Sequence, residues 1–186
     1  MADRVGVVAI QGDFEKHLEA LGRIGVAGLE VRTPEDLAKV DRVIIPGGES
    51  TAVGKLMERF GLGAALIERA AAGMPMWGTC MGMILLAREV EGHDQYRLGL
   101  LDIVVRRNAF GAQVHSFEAE VAVEGMGEVL GVFIRAPIVV DHGPEVRPLA
   151  AFGGQCVAVR QGCILGTSFH PELTTDDRLH RVFCDL

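Results

Sequence analysis

The chain has 186 residues, of which 49% are hydrophobic and 23% charged, with a formal net charge of -7 at pH 7. This size and composition exclude an intrinsically disordered protein, and a chain of this length buries enough surface to fold without a metal ion or a disulfide. The negative charge argues against binding to nucleic acid or to an anionic membrane. We therefore expect a single globular domain over residues 1–186 whose partners are small molecules or proteins.

The N-terminal segment and the cysteines indicate the compartment. Residues 1–17 lack the layout of a signal peptide, because charged residues flank a short apolar run. No segment approaches the ~20 continuous apolar residues of a membrane-spanning helix. The four cysteines are irregularly spaced and lie mostly in apolar sequence, which favours free thiols over a disulfide framework. We expect a cytoplasmic protein that does not enter a membrane.

The first half of the sequence alternates strand-like and helix-like segments. The predicted strands are 4–10, 28–33, 42–48 and 75–78, and the predicted helices are 13–25, 34–40, 50–61, 64–73 and 81–90. We expect Asp13 to cap the first helix, and Ser50 or Thr51 to cap the third. A βα repeat of this kind predicts a parallel sheet with helices on both faces.

After about residue 99, short strand-like runs are separated by close turn signals. They are 100–106, 117–123, 131–135, 138–141, 156–160 and 163–169, followed by a short helix at about 176–184. These spacings leave little room for crossover helices, so antiparallel hairpins should dominate. The predicted fold class is α/β, with three α/β/α layers, a mostly parallel central sheet and an antiparallel extension in the C-terminal half.

Gly78, Cys80 and Gly82 form a Gly-x-Cys-x-Gly motif at a predicted strand-to-helix junction. The arrangement matches the nucleophile elbow of hydrolases with sulfur in place of oxygen. The glycines are needed because the turn is tight, and the N–H groups at the start of the next helix favour a thiolate. Cys80 is therefore a candidate nucleophile, although the motif alone is equally compatible with a small buried residue in a glycine-rich turn.

A second polar cluster follows the last predicted strand, in the sequence SFHPEL. His170 stands at the end of the strand, and Glu172 can project to the same side as the imidazole. The carboxylate could hold one ring nitrogen and leave the other to take a proton from Cys80. By itself a His-Pro-Glu turn is more often a hydrogen-bonded loop, but with Cys80 it completes a set of nucleophile, base and orienting group.

The segment RVIIPGGEST also runs from a strand into paired glycines, Gly47 and Gly48. These glycines would let a backbone N–H approach a ligand, and together with the N–H of Met81 they could form an oxyanion hole. A phosphate-binding loop is the competing interpretation. It fails because the spacing to Lys55 is one residue too long and Leu56 replaces the required Ser or Thr.

These three segments, in this order, resemble the class I (triad) glutamine amidotransferases and, within them, the glutaminase subunits of pyridoxal phosphate synthase. The resemblance covers nearly the whole chain, through VVAIQGDFEKH, IIPGGEST, GTCMGMILLA, RRNAFGAQVHSFEAEV, GVFIRAPIV and TSFHPELT. Many class I amidotransferases share the cysteine elbow and the HPE turn. PGGEST, RNAFG with SFEAEV, and FIRAP are more specific to the subfamily.

The resemblance implies that the chain hydrolyses L-glutamine to L-glutamate and ammonia. Cys80 would attack the side-chain amide and form a thioester, His170 would shuttle a proton to the leaving ammonia, and Glu172 would orient His170. The resemblance places the oxyanion hole at Gly48 and Met81. It places the glutamine-binding residues at Gly47, Gly48, Glu49, Arg107, Ile134 and Arg135.

The resemblance also implies a partner, a separate synthase (lyase) subunit that uses the ammonia to build pyridoxal phosphate (vitamin B6) in a hetero-oligomeric complex. It implies no metal and no cofactor in this chain. One alternative is a class I amidotransferase subunit for another synthase, such as imidazole glycerol phosphate synthase, or a free-standing cysteine hydrolase. Another is a catalytically silent binding module on the same fold.

Three residues depart from the family pattern: Ala112 stands where Arg is common, His115 where Asp is common, and Met81 where a small residue usually follows the nucleophile. None belongs to the expected triad, and the expected oxyanion role of Met81 belongs to its backbone N–H. The histidines outside the triad show no metal-ligand spacing, so we expect ordinary surface or helix-face positions for His17, His93, His115, His142 and His180.

Overall fold

A computed structural model describes residues 4–110 and 116–186, so Ala112 and His115 lie outside the described residues. The strands are β1 (Arg4–Val8), β2 (Ala27–Val31), β3 (Arg42–Ile45), β4 (Met76–Thr79), β5 (Ala87–Val90), β6 (Leu101–Arg106), β7 (Ser116–Val123), β8 (Gly127–Ile134), β9 (Ile138–His142), β10 (Arg147–Phe152), β11 (Gln155–Gln161) and β12 (Ile164–Thr167). The helices are α1 (Phe14–Arg23), α2 (Pro34–Leu37), α3 (Ser50–Arg59), α4 (Leu62–Ala71), α5 (Met81–Leu86) and α6 (Arg178–Cys184), with a 3-10 turn at Pro171–Leu173.

The described strands form one sheet whose two halves differ in strand direction. β2, β1, β3, β4 and β12 are neighbours in that order and run parallel. β12, β11, β10, β7 and β8 continue the sheet with antiparallel pairing. β9 joins β11 to β6, and β5 pairs with β6. The predicted parallel half and antiparallel extension are both confirmed.

Two apolar clusters cover opposite faces of the parallel half. Along β3, Val43 and Ile45 belong to one cluster and Ile44 to the other, as expected for side chains that alternate across a strand. The first cluster also holds apolar residues of α3, α4 and α5, and the second those of α1 and α6. Helices therefore lie on both faces of the sheet, which explains the continuous apolar sequence of its parallel strands.

Two predicted elements are corrected by the structure. The predicted helix 81–90 ends at Leu86, because Ala87–Val90 pairs with β6 as a parallel strand. The strand β10 is missing from the prediction, and it contains Pro148, a residue type that rarely occurs within paired strands. In the structure β10 nevertheless pairs with β11 and β7.

The predicted helix caps are also partly wrong. The N-cap of α3 is Glu49, whose carboxylate accepts hydrogen bonds from the N–H groups of Thr51 at 3.0 Å and Ala52 at 2.8 Å. Asp13 does occupy the N-cap position of α1, but its side chain makes no capping hydrogen bond.

No helix in residues 4–110 or 116–186 is long and apolar enough to cross a membrane.

Candidate active site

The carboxyl ends of three adjacent parallel strands bring the predicted site segments together. β4 lies between β3 and β12, so Gly47, Cys80 and His170 follow neighbouring strands at one edge of the sheet. Ligands of α/β proteins commonly bind at such an edge. A cavity of about 380 Å³ opens there, which is within the size range of small-molecule sites. Its lining consists of Gln11, Gly12, Asp13, Gly48, Glu49, Ser50, Cys80, Met81, Ile84, Arg107, Asn108, Ile134, Arg135 and His170.

Backbone strain is concentrated around this cavity. In the described chain, the non-glycine residues with positive φ are Cys80 (50°), Asn108 (50°) and Arg135 (44°), and all of them line the cavity. Each such conformation costs on the order of 1–3 kcal/mol and persists only where its surroundings fix it. This clustering favours a functional role for the cavity.

Cys80 stands in a sharp turn between β4 and α5. Its backbone has φ 50° and ψ -105°, and its N–H donates to the carbonyl oxygen of Thr167 at 2.7 Å. A Cβ at position 78 would lie 2.4 Å from the carbonyl carbon of Gly82, and a Cβ at position 82 would lie 1.9 Å from the carbonyl oxygen of Ile45. Both glycines of the motif are therefore required by close backbone packing.

The thiol of Cys80 is almost completely buried and faces two of the predicted site residues. Its Sγ lies 3.7 Å from the carbonyl oxygen of Ile134, so Ile134 offers its backbone to the site. Burial of the His170 imidazole disfavours its charged form, but the hydrogen bonds to Cys80 and Glu172 outweigh burial and raise the pKa of His170 to about 10. His170 is therefore suited to take up and hold a proton beside the sulfur.

Glu172 holds His170 from the side away from Cys80. Nδ1 of His170 lies 2.7 Å from Oε1 of Glu172, and both side chains are buried. The backbone N–H of His170 donates to the carbonyl oxygen of Val132 at 2.8 Å, which fixes the main chain. Burial raises the pKa of Glu172, but His17 and the hydrogen bond from His170 lower it further than burial raises it. The carboxylate can therefore stay ionised and orient the ring.

Gly47 and Gly48 pack against different residues of the predicted site. A Cβ at position 47 would lie 2.4 Å from Cε1 of His170, so Gly47 backs the imidazole instead of lining the cavity. Gly48 has φ +152°, and a Cβ there would lie 3.2 Å from Cε of Met81. The structure thus places Gly48 and Met81 side by side next to Cys80, where an oxyanion hole is predicted.

The predicted glutamine-binding charges also line the cavity. Nη2 of Arg107 lies 3.8 Å from Oε1 of Glu49, while Arg135 follows β8 and is exposed. Burial raises the pKa of Glu49, but the N–H groups of Thr51 and Ala52 outweigh it and lower that pKa. An ionised carboxylate and two guanidinium groups therefore surround the cavity mouth.

Sequence reasoning missed Gln95, which joins these groups. Its Oε1 accepts hydrogen bonds from Nη1 of Arg107 at 3.1 Å and from the hydroxyl of Ser50 at 3.3 Å. Gln95 lies in an irregular segment with no motif around it. No local signal in the sequence links it to Arg107.

Two of the remaining histidines lie on helices, as predicted, but on their buried faces: His17 on α1 and His180 on α6. His17 and His180 are fully buried, and Nδ1 of His17 lies 3.0 Å from Nε2 of His180. Nε2 of His17 lies 3.2 Å from Oγ1 of Thr79 and 3.4 Å from Oε2 of Glu172. His93 and His142 are exposed, as expected.

Within the described residues, the ligand atoms of Asp13, His170 and Glu172 lie within 4.8 Å of one another, which would be close enough to hold a metal ion. His170 and Glu172 already bond to each other. Asp13 lines the cavity and is exposed. A hydrogen-bonded pair of His170 and Glu172 next to the exposed carboxylate of Asp13 gives the same short distances without a metal ion.

Comparison with known proteins gives consistent matches over nearly the full chain. Residues 7–186 match the SNO glutamine amidotransferase family. Pyridoxal 5'-phosphate synthase subunit PdxT of Thermus thermophilus is 53% identical over 184 residues, covering 98% of this chain and 96% of that protein. The protein of the same name from Roseiflexus sp. (strain RS-1) is also 53% identical, covering 96% of this chain and 97% of its own length.

Solved structures also match nearly the full chain. A crystal structure of a glutamine amidotransferase is 50% identical, with a TM-score of 0.94 and coverage of 97% of both chains. PurLQS from Thermotoga maritima has a TM-score of 0.75 at 16% identity, covering 100% of this chain and 99% of that chain. At that identity the second likeness concerns the fold alone.

Proposed function

Because the chain belongs to the SNO glutamine amidotransferase family, we propose that it hydrolyses L-glutamine and delivers the ammonia to a synthase subunit that makes pyridoxal 5'-phosphate. The observation that carries the proposal is the strained turn at Cys80, beside an imidazole that Glu172 holds at 2.7 Å. The names of the PdxT relatives support the choice of synthase over imidazole glycerol phosphate synthase.

In the proposed first half-reaction, His170 accepts the proton of the Cys80 thiol, and the sulfur attacks the side-chain amide carbon of glutamine. The amide oxygen becomes an oxyanion, which the N–H groups of Gly48 and Met81 would stabilise. The C–N bond then breaks, and His170 returns its proton to the leaving nitrogen. The products of this step are ammonia and a γ-glutamyl thioester on Cys80.

In the second half-reaction, water replaces ammonia at the same position. His170 removes a proton from the water while the oxygen attacks the thioester carbon, and the resulting intermediate expels the Cys80 sulfur. Glutamate leaves, and His170 returns its proton to the Cys80 sulfur, which restores the starting state. Glu172 has the same role throughout, since it keeps the Nε2 side of the imidazole directed at the reacting atoms.

Glutamine recognition would use the charged side of the cavity. The guanidinium groups of Arg107 and Arg135 suit the α-carboxylate, because a guanidinium can make two parallel hydrogen bonds to it. Glu49 carries the charge that suits the α-ammonium group. Gln95 supports this arrangement by holding Arg107 in place at 3.1 Å.

The test is reconstitution with a purified pyridoxal phosphate synthase subunit and its own substrates. With glutamine as nitrogen source, pyridoxal phosphate should form only when this chain is present, and glutamate release should rise when the synthase is added. With ammonium salts the synthase should not need this chain. A rate of glutamate release that does not change when the synthase is added would contradict the proposed partner. It would point to another amidotransferase or a free-standing hydrolase.

A further inference from the structure

Glu172 has two carboxylate oxygens, and the proposed chemistry uses one of them. Oε1 accepts the hydrogen bond from His170, whereas Oε2 makes no hydrogen bond among the described residues. Oε2 lies 3.4 Å from Nε2 of His17, and both side chains are fully shielded from solvent. A buried carboxylate oxygen without a hydrogen bond costs free energy of folding. The group that faces this oxygen can therefore influence where the carboxylate sits.

The hydrogen-bond network assigns the protons of the two buried histidines. Nδ1 of His180 is buried without a hydrogen-bond partner in the described chain, so a proton there would have no acceptor. We therefore assign the proton of His180 to Nε2, which donates to Nδ1 of His17 at 3.0 Å. His17 must then carry its own proton on Nε2, the atom that faces Thr79 and Glu172.

Burial keeps this pair uncharged. Burial lowers the pKa of His17 more than the neighbouring Glu172 raises it. Burial and the proximity of His17 lower the pKa of His180 to about 3. A neutral His17 with its proton on Nε2 therefore presents an N–H dipole to the carboxylate without adding a charge.

The surroundings fix the orientation of both rings. Trp77 packs edge-on against His17 and His180, with ring centroids 5.7 Å and 5.0 Å away. The indole N–H of Trp77 in turn donates to Oγ1 of Thr167 at 3.1 Å. Neither imidazole can turn freely, because aromatic contacts and the hydrogen bond between the two rings restrain them.

We propose that His17 is a positioning residue for the glutaminase reaction: its Nε2–H, 3.4 Å from Oε2 of Glu172, points a dipole towards that oxygen, so that Oε1 stays aligned with His170. This inference rests on the proposed function for its kinetic consequence. The positioning would run from His180 through His17 and Glu172 to His170, using side chains of α6, α1 and the 3-10 turn. His17 itself does not line the cavity and does not touch the substrate site.

The kinetic test compares His17→Phe and His17→Gln in the complex with the synthase. His17→Phe keeps a flat ring but loses the N–H, and its kcat for glutamate release should fall about 10-fold or more while KM for glutamine stays within about twofold. His17→Gln restores a side-chain N–H near the lost position and should recover most of kcat. The exposed His142→Phe serves as the control and should match the wild type.

Thermal unfolding of each variant separates positioning from folding. If His17→Phe retains wild-type kcat, or if His17→Gln is as impaired as His17→Phe when both are folded, the inference is overturned. A purely structural role would lower stability and activity together, and the glutamine variant would not restore kcat.

A second measurement needs neither glutamine nor the synthase, so its outcome is separate from that of the proposed function. Mass spectrometry can follow iodoacetamide alkylation of the Cys80 peptide in the free chain, where His17→Phe should react several-fold more slowly than wild type or His142→Phe. Nitrogen-15 NMR of labelled histidines should find His17 neutral with its proton on Nε2. Unchanged alkylation in His17→Phe, or a proton on Nδ1 of His17, would contradict the inference even if glutamine hydrolysis itself is not observed.

Discussion

The two sides of the cavity differ in how they are built. The reaction side, consisting of Cys80, His170 and Glu172, follows parallel strands, and these residues are 7%, 4% and 2% exposed. The recognition side, consisting of Glu49, Arg107 and Arg135, has accessible side chains, with 49% of the Glu49 side chain and 25% of the Arg107 side chain exposed. The groups that would exchange protons are buried and closely packed, whereas the groups that would capture a charged substrate remain accessible to water.

This contrast predicts that damage to the reaction side lowers kcat, whereas damage to the recognition side raises KM. The largest effect should come from Cys80→Ala, which removes the proposed nucleophile. Glutamate release should fall by about 10⁴-fold or more, as when the nucleophile of a catalytic triad is removed. The melting temperature should change little, because a small side chain is replaced by a smaller one. Cys163→Ala, outside the cavity, is the matched control and should keep full activity.

Glu172→Gln should have the next largest effect. The amide is nearly the same size as the carboxyl group, but its NH₂ can donate to Nδ1 of His170 and favour the wrong tautomer. We expect kcat to fall by about 10³-fold with KM nearly unchanged. Steady-state glutamate release measures this, and the exposed Glu91→Gln serves as the control. A decrease of less than about threefold would mean that the carboxylate does not orient the imidazole.

Gly47→Ala tests how closely the reaction side is packed. Its new Cβ would lie 2.4 Å from Cε1 of His170, so the imidazole must move. Displacement of a catalytic group by about 1 Å can cost about 10²-fold, and we expect a loss of kcat of that size. Gly22→Ala on α1 meets no atom within 4 Å and should leave kcat unchanged. Equal kcat values for the two variants would contradict the close approach at Gly47.

Arg107→Ala tests the recognition side. Loss of a charged hydrogen-bonding group should raise KM for glutamine by about 10-fold or more and change kcat little. Arg106→Ala is a neighbouring control, since Arg106 is exposed and pairs with Glu91. A larger effect on kcat than on KM would contradict the division between the two sides of the cavity.

The smallest predicted effect concerns stability in acid. The pKa of His180 is about 3 in the folded chain, well below the ordinary histidine value of 6.5. The unfolded chain therefore binds the proton first, and stability falls as pH drops below about 6.5. Between pH 7 and pH 5 this costs roughly 2 kcal/mol of unfolding free energy. Urea unfolding at both pH values should show that His180→Phe loses less stability than wild type by about this amount. An equal loss in both proteins would show that His180 is not buried in its neutral form.

The sequence predicts those parts of the site that local chemistry defines. Cys80 is recognisable because its flanking glycines and the change from strand to helix all lie within a few residues. His170 and Glu172 are recognisable because the motif is continuous in sequence. The parallel half of the sheet is predictable for the same reason, since each βα unit is a local pattern.

The remaining features depend on contacts between distant segments. His17 meets His180 across 163 residues, and its burial depends on how α1 and α6 pack on one face of the sheet. β5 continues an apolar helix without a break in the sequence pattern, and pairing with β6 makes it a strand. Arg107 directly follows Arg106, and nothing in this pair of arginines indicates a binding role, so its suggested role came from the family resemblance.

The most direct test of the account is to trap the proposed intermediate. The complex with the synthase would be mixed with glutamine, quenched in acid during turnover and digested, and the Cys80 peptide analysed by mass spectrometry. We expect a γ-glutamyl adduct on Cys80 in the wild type, with neither adduct nor glutamate release in Cys80→Ala. Glutamate release that persists in Cys80→Ala would contradict the assignment of Cys80 as the nucleophile.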